Sequence, residues 1–143
     1  ISRNGKFIQE RFAHKYYEMV SIGIDFTARD VQERQKAKGL PWEIAKAFDS
    51  SAAAGRFVPL TGKEQVQKLD FSLLLNGKTV QQGNTGDMLF SIDRIIAYAS
   101  SFFTLNTGDL IFTGTPAGVG PVQINDTLEG FLGSEKLLHT EIR

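Results

Sequence analysis

The sequence contains no cysteine and no run of apolar residues that approaches the length of a membrane span. The first absence excludes disulfide bonds, cysteine-ligated zinc, iron–sulfur clusters and a cysteine nucleophile. The second excludes a transmembrane helix within this sequence, because such a helix needs roughly 18 consecutive apolar residues. Together with the lack of a recognisable signal peptide, these features lead us to expect a cytoplasmic protein without a membrane partner.

The sequence also lacks an excess of charge of either sign, because 16 Lys and Arg residues balance 16 Asp and Glu residues. A dedicated nucleic-acid-binding domain needs a strongly basic face, so we expect no nucleic-acid partner. Proline is scarce, at four residues, whereas glycine is plentiful, at 14. Because there is no internal repeat or low-complexity segment, we expect residues 1–143 to form a single domain.

The first half of the sequence combines strand and helix signals. Residues 16–25 predict a strand that ends at Asp25, followed by a polar helix with Thr27 as its N-cap that runs to about Lys38 and stops at Gly39. The opening residues predict a hairpin that turns at Asn4 and Gly5. The small residues at 50–55 predict a close-packed loop, and Trp42 and the 11 phenylalanines are assigned to the core.

The second half of the sequence predicts a hairpin, a helix and several short strands. Residues 69–76 and 78–82 are predicted to form the hairpin around an Asn–Gly turn. Ser91 begins a helix whose apolar positions recur at spacings of three and four and are predicted to face a sheet. Residues 110–112 predict a buried strand, and residues 122–143 predict strands with turns at 125–126 and 133–134. Two main helices and seven or more strands predict a strand-dominated α+β fold.

Three segments have residue types that suit a binding or catalytic site. Asp25 ends a strand, and Arg29 and Gln32 lie one helical turn apart where both could face it. Such a group suits an anionic, oxygen-rich ligand on a hard metal ion. The alternative is a surface ion pair beside an ordinary helix.

Lys46 lies among apolar and small residues in the second segment. It could stabilise a developing enolate, act as a base or form a Schiff base; the alternative is a lysine with a buried stem and a solvated head. The third segment, residues 113–121, is rich in glycine after a predicted strand, so its N–H groups could approach a carboxylate or phosphate. It matches neither the Walker A nor the Rossmann pattern and could be only a structural turn.

Taken together in their order, four motifs resemble the fumarylacetoacetate hydrolase family. They are Gly-Ile-Asp-Phe-Thr-Ala-Arg-Asp-Val-Gln, Lys-Gly-Leu-Pro-Trp-Glu-Ile-Ala-Lys-Ala-Phe-Asp, Asn-Gly-Lys-Thr-Val-Gln-Gln-Gly-Asn-Thr-Gly-Asp-Met-Leu-Phe and Leu-Asn-Thr-Gly-Asp-Leu-Ile-Phe-Thr-Gly-Thr-Pro-Ala-Gly-Val-Gly-Pro. The resemblance spans essentially the whole sequence. It is strongest to small bacterial members described as 2-hydroxyhepta-2,4-diene-1,7-dioate isomerases or acylpyruvases.

The resemblance implies a mixed β-roll or sandwich and an enzyme that uses Mg²⁺ or Mn²⁺ to act on 2-oxo or β-diketo acids. Hydrolysis of C–C bonds, decarboxylation and isomerisation are the reactions it implies, through a stabilised enolate. It assigns Asp25 to metal binding, Lys46 to catalysis, and Arg29, Gln32 and Thr115 to substrate binding. It also implies a homodimer.

One family feature has no counterpart in this sequence. Family members carry two metal-binding glutamates, spaced Glu-x-Glu, and a catalytic His–Glu pair on parts that precede the region corresponding to Ile1. We therefore expect the sequence to correspond to the C-terminal two-thirds of a family member, with an incomplete metal site. The alternative function is a non-catalytic binding or assembly module that retains the fold.

Overall fold

A computed structural model describes residues 1–62 and 65–143 and contains, in that part, four α-helices and eight strands. In chain order they are α1 (Glu10–Ala13), β1 (Met19–Val20), β2 (Gly23–Asp25), α2 (Arg29–Ala37), α3 (Glu43–Lys46), β3 (Ala52–Ala54), β4 (Val58–Pro59), β5 (Asp70–Leu75), β6 (Lys78–Asn84), α4 (Ile92–Phe102), β7 (Thr127–Leu132) and β8 (Glu135–Glu141). The predicted strand-dominated α+β class is confirmed. None of the described helices combines the length and apolar character that crossing a bilayer requires.

The largest sheet has four antiparallel strands in the order β6-β5-β7-β8. The predicted β5–β6 hairpin is confirmed, and its turn places Asn76 and Gly77 at φ values of 50° and 77°. Two successive positive φ values are typical of a turn that matches the twist of a hairpin, which explains the Asn–Gly pair. The turn predicted at 133–134 joins β7 to β8 and has Gly133 at a φ of 58°.

Two small antiparallel sheets, β1–β4 and β2–β3, carry the first half of the chain. The strand predicted over 16–25 is divided into β1 and β2, although it ends at Asp25 as expected. The loop predicted at 50–55 is wrong in part, because β3 lies within it and pairs with β2. Alanine has little strand propensity of its own, so this strand depends on its partner. Close packing is correct at Gly55, where a Cβ would lie 2.5 Å from the carbonyl oxygen of Leu137.

Helix α4 begins where the sequence predicts, with the Ser91 hydroxyl accepting a hydrogen bond from the Arg94 N–H at 3.1 Å. The prediction that its apolar stripe faces a sheet is wrong, because Ile96 packs with Ile8, Ala13 and Leu105 from the N-terminal segment, α1 and the segment after α4. The stripe specifies a buried face, but nothing local in it specifies the partner.

Three other expectations drawn from the sequence are wrong: a hairpin, a strand and the burial of the aromatic residues. The segment at Asn4 and Gly5 is not a hairpin, because Gly5 instead forms an isolated bridge with Leu105. Residues 110–112 form no strand in the structure. Trp42 and eight of the phenylalanines are exposed rather than buried. The exposed phenylalanines are Phe7, Phe12, Phe48, Phe57, Phe90, Phe102, Phe103 and Phe112. Apolar character favours burial but does not supply a covering element, so an apolar side chain can remain at the surface.

Ser100 joins the N-terminal segment to α4. It is fully buried, and its hydroxyl accepts a hydrogen bond from the Ile8 N–H at 2.9 Å while donating to the Ala97 carbonyl at 2.9 Å. Nearby, the Tyr17 hydroxyl donates to Asp93 at 2.9 Å. Burial, followed by this contact with Asp93, raises the pKa of Tyr17, so the hydroxyl keeps its proton as a donor. These two contacts fasten α4 to the start of the chain.

We predict that Ser100→Ala destabilises the fold by about 1–3 kcal/mol, because it leaves the buried Ile8 N–H without its acceptor. Ser101→Ala is the matched control, since Ser101 is exposed and its hydroxyl donates only to the carbonyl three residues earlier. Chemical denaturation of both variants measures the two free energies of unfolding. Equal losses in the two variants would contradict the proposed role of Ser100.

Candidate functional site

The end of β2 is held from two sides. Asp25 pairs with Ala52 of β3, and the next residue, Phe26, donates its N–H to the Ser51 carbonyl at 2.8 Å. Ala28 donates to the Ala45 carbonyl of α3 at 3.1 Å. Residues 25–28 are thus connected both to the neighbouring strand and to α3, so the direction of the Asp25 side chain is set by backbone contacts.

Lys46 is the last residue of α3, and its ammonium group contacts the end of β2. Its Nζ lies 2.6 Å from Asp25 Oδ2 and 2.9 Å from Thr27 Oγ1. The neighbouring Ala45 is fully buried, which anchors α3. An ammonium group has three N–H donors, so these two contacts leave one donor for a ligand. The side chains of Lys46 and Asp25 are 35% and 47% exposed, respectively, so a ligand can reach the pair from solvent.

Thr27 has a different role from the one predicted. Helix α2 begins after Ala28, and no side chain caps its N-terminus. The Thr27 hydroxyl instead accepts a hydrogen bond from Lys46. Sequence reasoning missed this contact because a threonine just before a helix is typical of an N-cap, and only the position of α3 brings Lys46 to it.

Arg29 and Gln32 lie together on the first turn of α2. Arg29 Nη1 donates to Gln32 Oε1 at 2.6 Å, and Gln32 is only 6% exposed. Among the hydrogen bonds of the described residues, neither side chain reaches Asp25, so their facing Asp25 stays a prediction. The buried amide holds the guanidinium group in place and leaves its other N–H donors available.

The glycine-rich segment, residues 113–121, packs against β6. It follows Phe112, whose ring packs so closely on Gly23 of β2 that a Cβ there would lie 2.6 Å from Phe112 Cε1. Thr115 Oγ1 accepts a hydrogen bond from Gln81 Nε2 of β6 at 2.9 Å. Gly118 has a φ of 100°, and a Cβ at this position would collide with the Val80 carbonyl. This segment therefore needs glycine to approach β6.

A shallow pocket of about 410 Å³ adjoins Lys46 and is lined by Leu40, Pro41, Trp42 and Glu43 as well as Lys46 itself. Trp42, which the sequence assigned to the core, is 46% exposed and forms part of this wall. The Nζ of Lys36 lies 4.7 Å from the centre of its ring, a cation–π contact that holds the indole at the surface. The pocket offers an apolar wall next to a charged group.

The acidic groups near Lys46 fit a divalent metal ion only in part. Within residues 1–62 and 65–143, no three His, Asp or Glu side chains lie close enough together to hold a metal ion. Asp25 can supply one carboxylate oxygen, whereas Mg²⁺ takes six oxygen ligands. These residues therefore do not form a complete metal site, and Asp25 is the one candidate ligand that the sequence predicted.

Residues 1–142 match the family model described as "Fumarylacetoacetate (FAA) hydrolase C-terminal". The chain belongs to the fumarylacetoacetate hydrolase family. This confirms the resemblance drawn from the four motifs. A fumarylacetoacetate hydrolase family protein from Yersinia pestis CO92 has the same fold, with a TM-score of 0.94 and 40% identity over 100% of this chain and 67% of that one.

Two further similar proteins are named for an enzymatic activity. The mitochondrial oxaloacetate tautomerase FAHD1 of Mus musculus is 46% identical over 90% of this chain and 58% of its own length. A fumarylpyruvate hydrolase from Pseudomonas aeruginosa, solved in complex with Mn²⁺ and pyruvate, has a TM-score of 0.90 and 34% identity over 99% of this chain and 61% of that one. The chain thus spans less than two thirds of the length of these two proteins.

We predict that Gly118→Ala destabilises the protein by about 1–3 kcal/mol, because the added methyl group meets the Val80 carbonyl and the positive φ is unfavourable for alanine. Gly120→Ala is the matched control, since a Cβ at Gly120 has no heavy atom within 4 Å. Thermal unfolding followed by calorimetry compares the two. A loss confined to Gly120→Ala, or shared equally, would refute the described packing on β6.

Proposed function

We propose that this protein is a divalent-metal-dependent enzyme that acts on 2-oxo or β-diketo acids through an enol or enolate. The observation that carries the proposal is the contact of the Lys46 ammonium group with the Asp25 carboxylate at the end of β2, 2.6 Å apart. Five polar side chains assigned by the family motifs support it, because no packing argument requires all five together: Asp25, Arg29, Gln32, Lys46 and Thr115. A non-catalytic module would have no need to retain all five.

Metal binding is assigned to Asp25 as one ligand, with Mn²⁺ or Mg²⁺ as the ion. The description of the P. aeruginosa protein, which names Mn²⁺ and pyruvate, supports this assignment. When bound, a divalent ion would act as a Lewis acid and lower the energy of the enolate form of a 2-oxo acid. Lys46 then has a role of its own, because its remaining N–H donor can be directed at the oxygen on which negative charge develops.

The other three residues suit the carboxylate groups of such an acid. Arg29 has N–H donors beyond the one used by Gln32, and a guanidinium group pairs with a carboxylate through two parallel hydrogen bonds. Thr115 offers a hydroxyl group on a segment that packs against β6. We assign Arg29, Gln32 and Thr115 to substrate binding, and the pocket beside Trp42 to the apolar part of the substrate.

Among the reactions of the family, we favour keto–enol tautomerisation of oxaloacetate. This reaction passes through an enolate and needs no water nucleophile, so an N–H donor placed at the developing enolate oxygen suits it. The name of the M. musculus relative, oxaloacetate tautomerase, supports this choice. Hydrolysis of acylpyruvates is the alternative, and it requires an activated water molecule in addition.

The homodimer and the cytoplasmic location stay predictions. A dimer would be consistent with the exposed aromatic side chains at the end of α4, Tyr98, Phe102 and Phe103, of which the last two are 62% and 68% exposed. Apolar groups that are exposed next to one another are typical of surfaces covered by another chain or segment.

We predict that Lys46→Ala, made in the full-length protein, lowers the rate of oxaloacetate tautomerisation by about 100-fold or more, because it removes the N–H donor that stabilises the developing enolate oxygen. The loss of enol absorbance measures the rate. Lys38→Ala is the control, since Lys38 is an exposed lysine at the end of α2. Unchanged turnover by Lys46→Ala would remove Lys46 from the mechanism, and turnover of acylpyruvates alone would replace tautomerisation with hydrolysis.

We predict that Asp25→Asn weakens Mn²⁺ binding to the full-length protein by about tenfold or more, since a neutral amide is a poorer ligand for a hard cation than a carboxylate. Asp30→Asn is the control, because Asp30 is an exposed aspartate that pairs with Arg34 on α2. Calorimetric titration with Mn²⁺ gives both affinities. Equal affinities for the wild type and Asp25→Asn would exclude Asp25 as a ligand.

A further inference from the structure

We propose that Gln81 is a positioning residue that holds the Thr115 hydroxyl group as a hydrogen-bond donor for a carboxylate ligand. This inference rests on the proposed function, because it concerns how Thr115 meets an anionic acid. Gln81 lies on β6, well separated in sequence from the residues that the family motifs assign to the site, and its side chain is half-buried.

The orientation of the Gln81 amide follows from its two partners. Its Nε2 lies 2.9 Å from Thr115 Oγ1 and 3.1 Å from the Pro116 carbonyl oxygen. A carbonyl oxygen can only accept hydrogen bonds, so the NH₂ end of the amide must face the glycine-rich segment. The same NH₂ group has a second N–H, which is available to the Thr115 hydroxyl oxygen. The amide is therefore a donor to both groups.

This arrangement determines what the Thr115 hydroxyl can do. A hydroxyl group has one proton and two lone pairs, and here one lone pair accepts from Gln81. Because the amide NH₂ has no lone pair to offer, the hydroxyl proton cannot be donated back to it. The proton stays available for a ligand that accepts hydrogen bonds, and a carboxylate is such a ligand. Gln81 thus favours a ligand atom that accepts a hydrogen bond from Thr115, such as a carboxylate oxygen, over one that donates.

The backbone near Thr115 is held on β6 independently of the Gln81 amide. Gly118 packs on the Val80 carbonyl, and Pro116 Cβ lies against Gly83, where a Cβ would be 3.2 Å away. A change of the Gln81 side chain is therefore expected to alter the direction of the hydroxyl without releasing the segment. The effect of a Gln81 variant on ligand binding can therefore be measured in a protein that keeps its fold.

Two variants of Gln81 and one control test the proposal in the full-length protein. Gln81→Met keeps the size of the side chain but removes the donor, whereas Gln81→Glu replaces it with an acceptor that can take the Thr115 proton. Gln82→Glu is the matched control, because Gln82 is exposed and its side chain points to the opposite face of the same strand. The probe is oxalate titrated in the presence of Mn²⁺, with Mn²⁺ alone as a separate titration.

We expect Gln81→Met to weaken oxalate binding by about tenfold, because the Thr115 hydroxyl is no longer held toward the ligand and its hydrogen bond to the charged oxalate is lost. We expect Gln81→Glu to weaken it further, because the Glu carboxylate takes the Thr115 proton and repels the anion. We expect Gln82→Glu to change it by less than about twofold, since its charge is exposed and screened. Mn²⁺ affinity and melting temperature should stay near the wild-type values. With oxaloacetate as substrate, the Gln81 variants should raise KM more than they lower kcat.

A double-mutant cycle with Thr115→Val separates positioning from a general structural effect. If Gln81 acts through the Thr115 hydroxyl, Gln81→Met has little further effect once that hydroxyl is gone. Additive losses, or unchanged oxalate binding by Gln81→Glu in a protein that binds Mn²⁺ and oxalate, would overturn this inference and leave the proposed function standing. A wild-type protein that binds no oxalate with Mn²⁺ would overturn the proposed function itself.

Discussion

The position of one ammonium group governs the candidate site. Lys46 reaches both Asp25 and Thr27 because α3 is anchored by the buried Ala45, whose carbonyl accepts the N–H of Ala28. A flexible lysine gains little from a single exposed carboxylate, since surface ion pairs are weak and their side chains are costly to order. A second acceptor and a fixed backbone on both sides restrict the ammonium group to one place, which is what a group that must meet a substrate atom requires.

The second part of the site depends on close backbone packing. The segment that carries Thr115 has no regular secondary structure, and it is placed by Phe112 on Gly23 and by Gly118 on β6. Glycine at these contacts replaces side-chain packing with direct approach of the backbone. The hydrogen bond from Gln81 then orients the Thr115 hydroxyl group. The small β2–β3 sheet and the large sheet thereby both contact residues 112–118.

The described chain buries few apolar side chains relative to those it leaves at the surface. Its best-defined core joins α4 to the N-terminal segment through Ile8, Ala13, Ile96 and Leu105. The opposite side of α4 ends in exposed aromatic residues. The catalytic assignment does not depend on that surface, since Lys46 is anchored by α3 and by the end of β2.

The sequence by itself determined the elements whose signals are local: the Asn–Gly hairpin at Asn76, the helix that begins at Ser91, and the end of a strand at Asp25. It also indicated the candidate residues, because the family motifs are contiguous. Tertiary structure decided which of them meet. Lys46 contacts Asp25 across 21 positions of sequence. It also donates a hydrogen bond to the Thr27 hydroxyl, which the local sequence pattern assigns to a helix cap. Gln81 meets Thr115 across 34 positions. Such contacts depend on how separate elements pack, and a local sequence pattern specifies a buried face or a turn but not the partner that covers it.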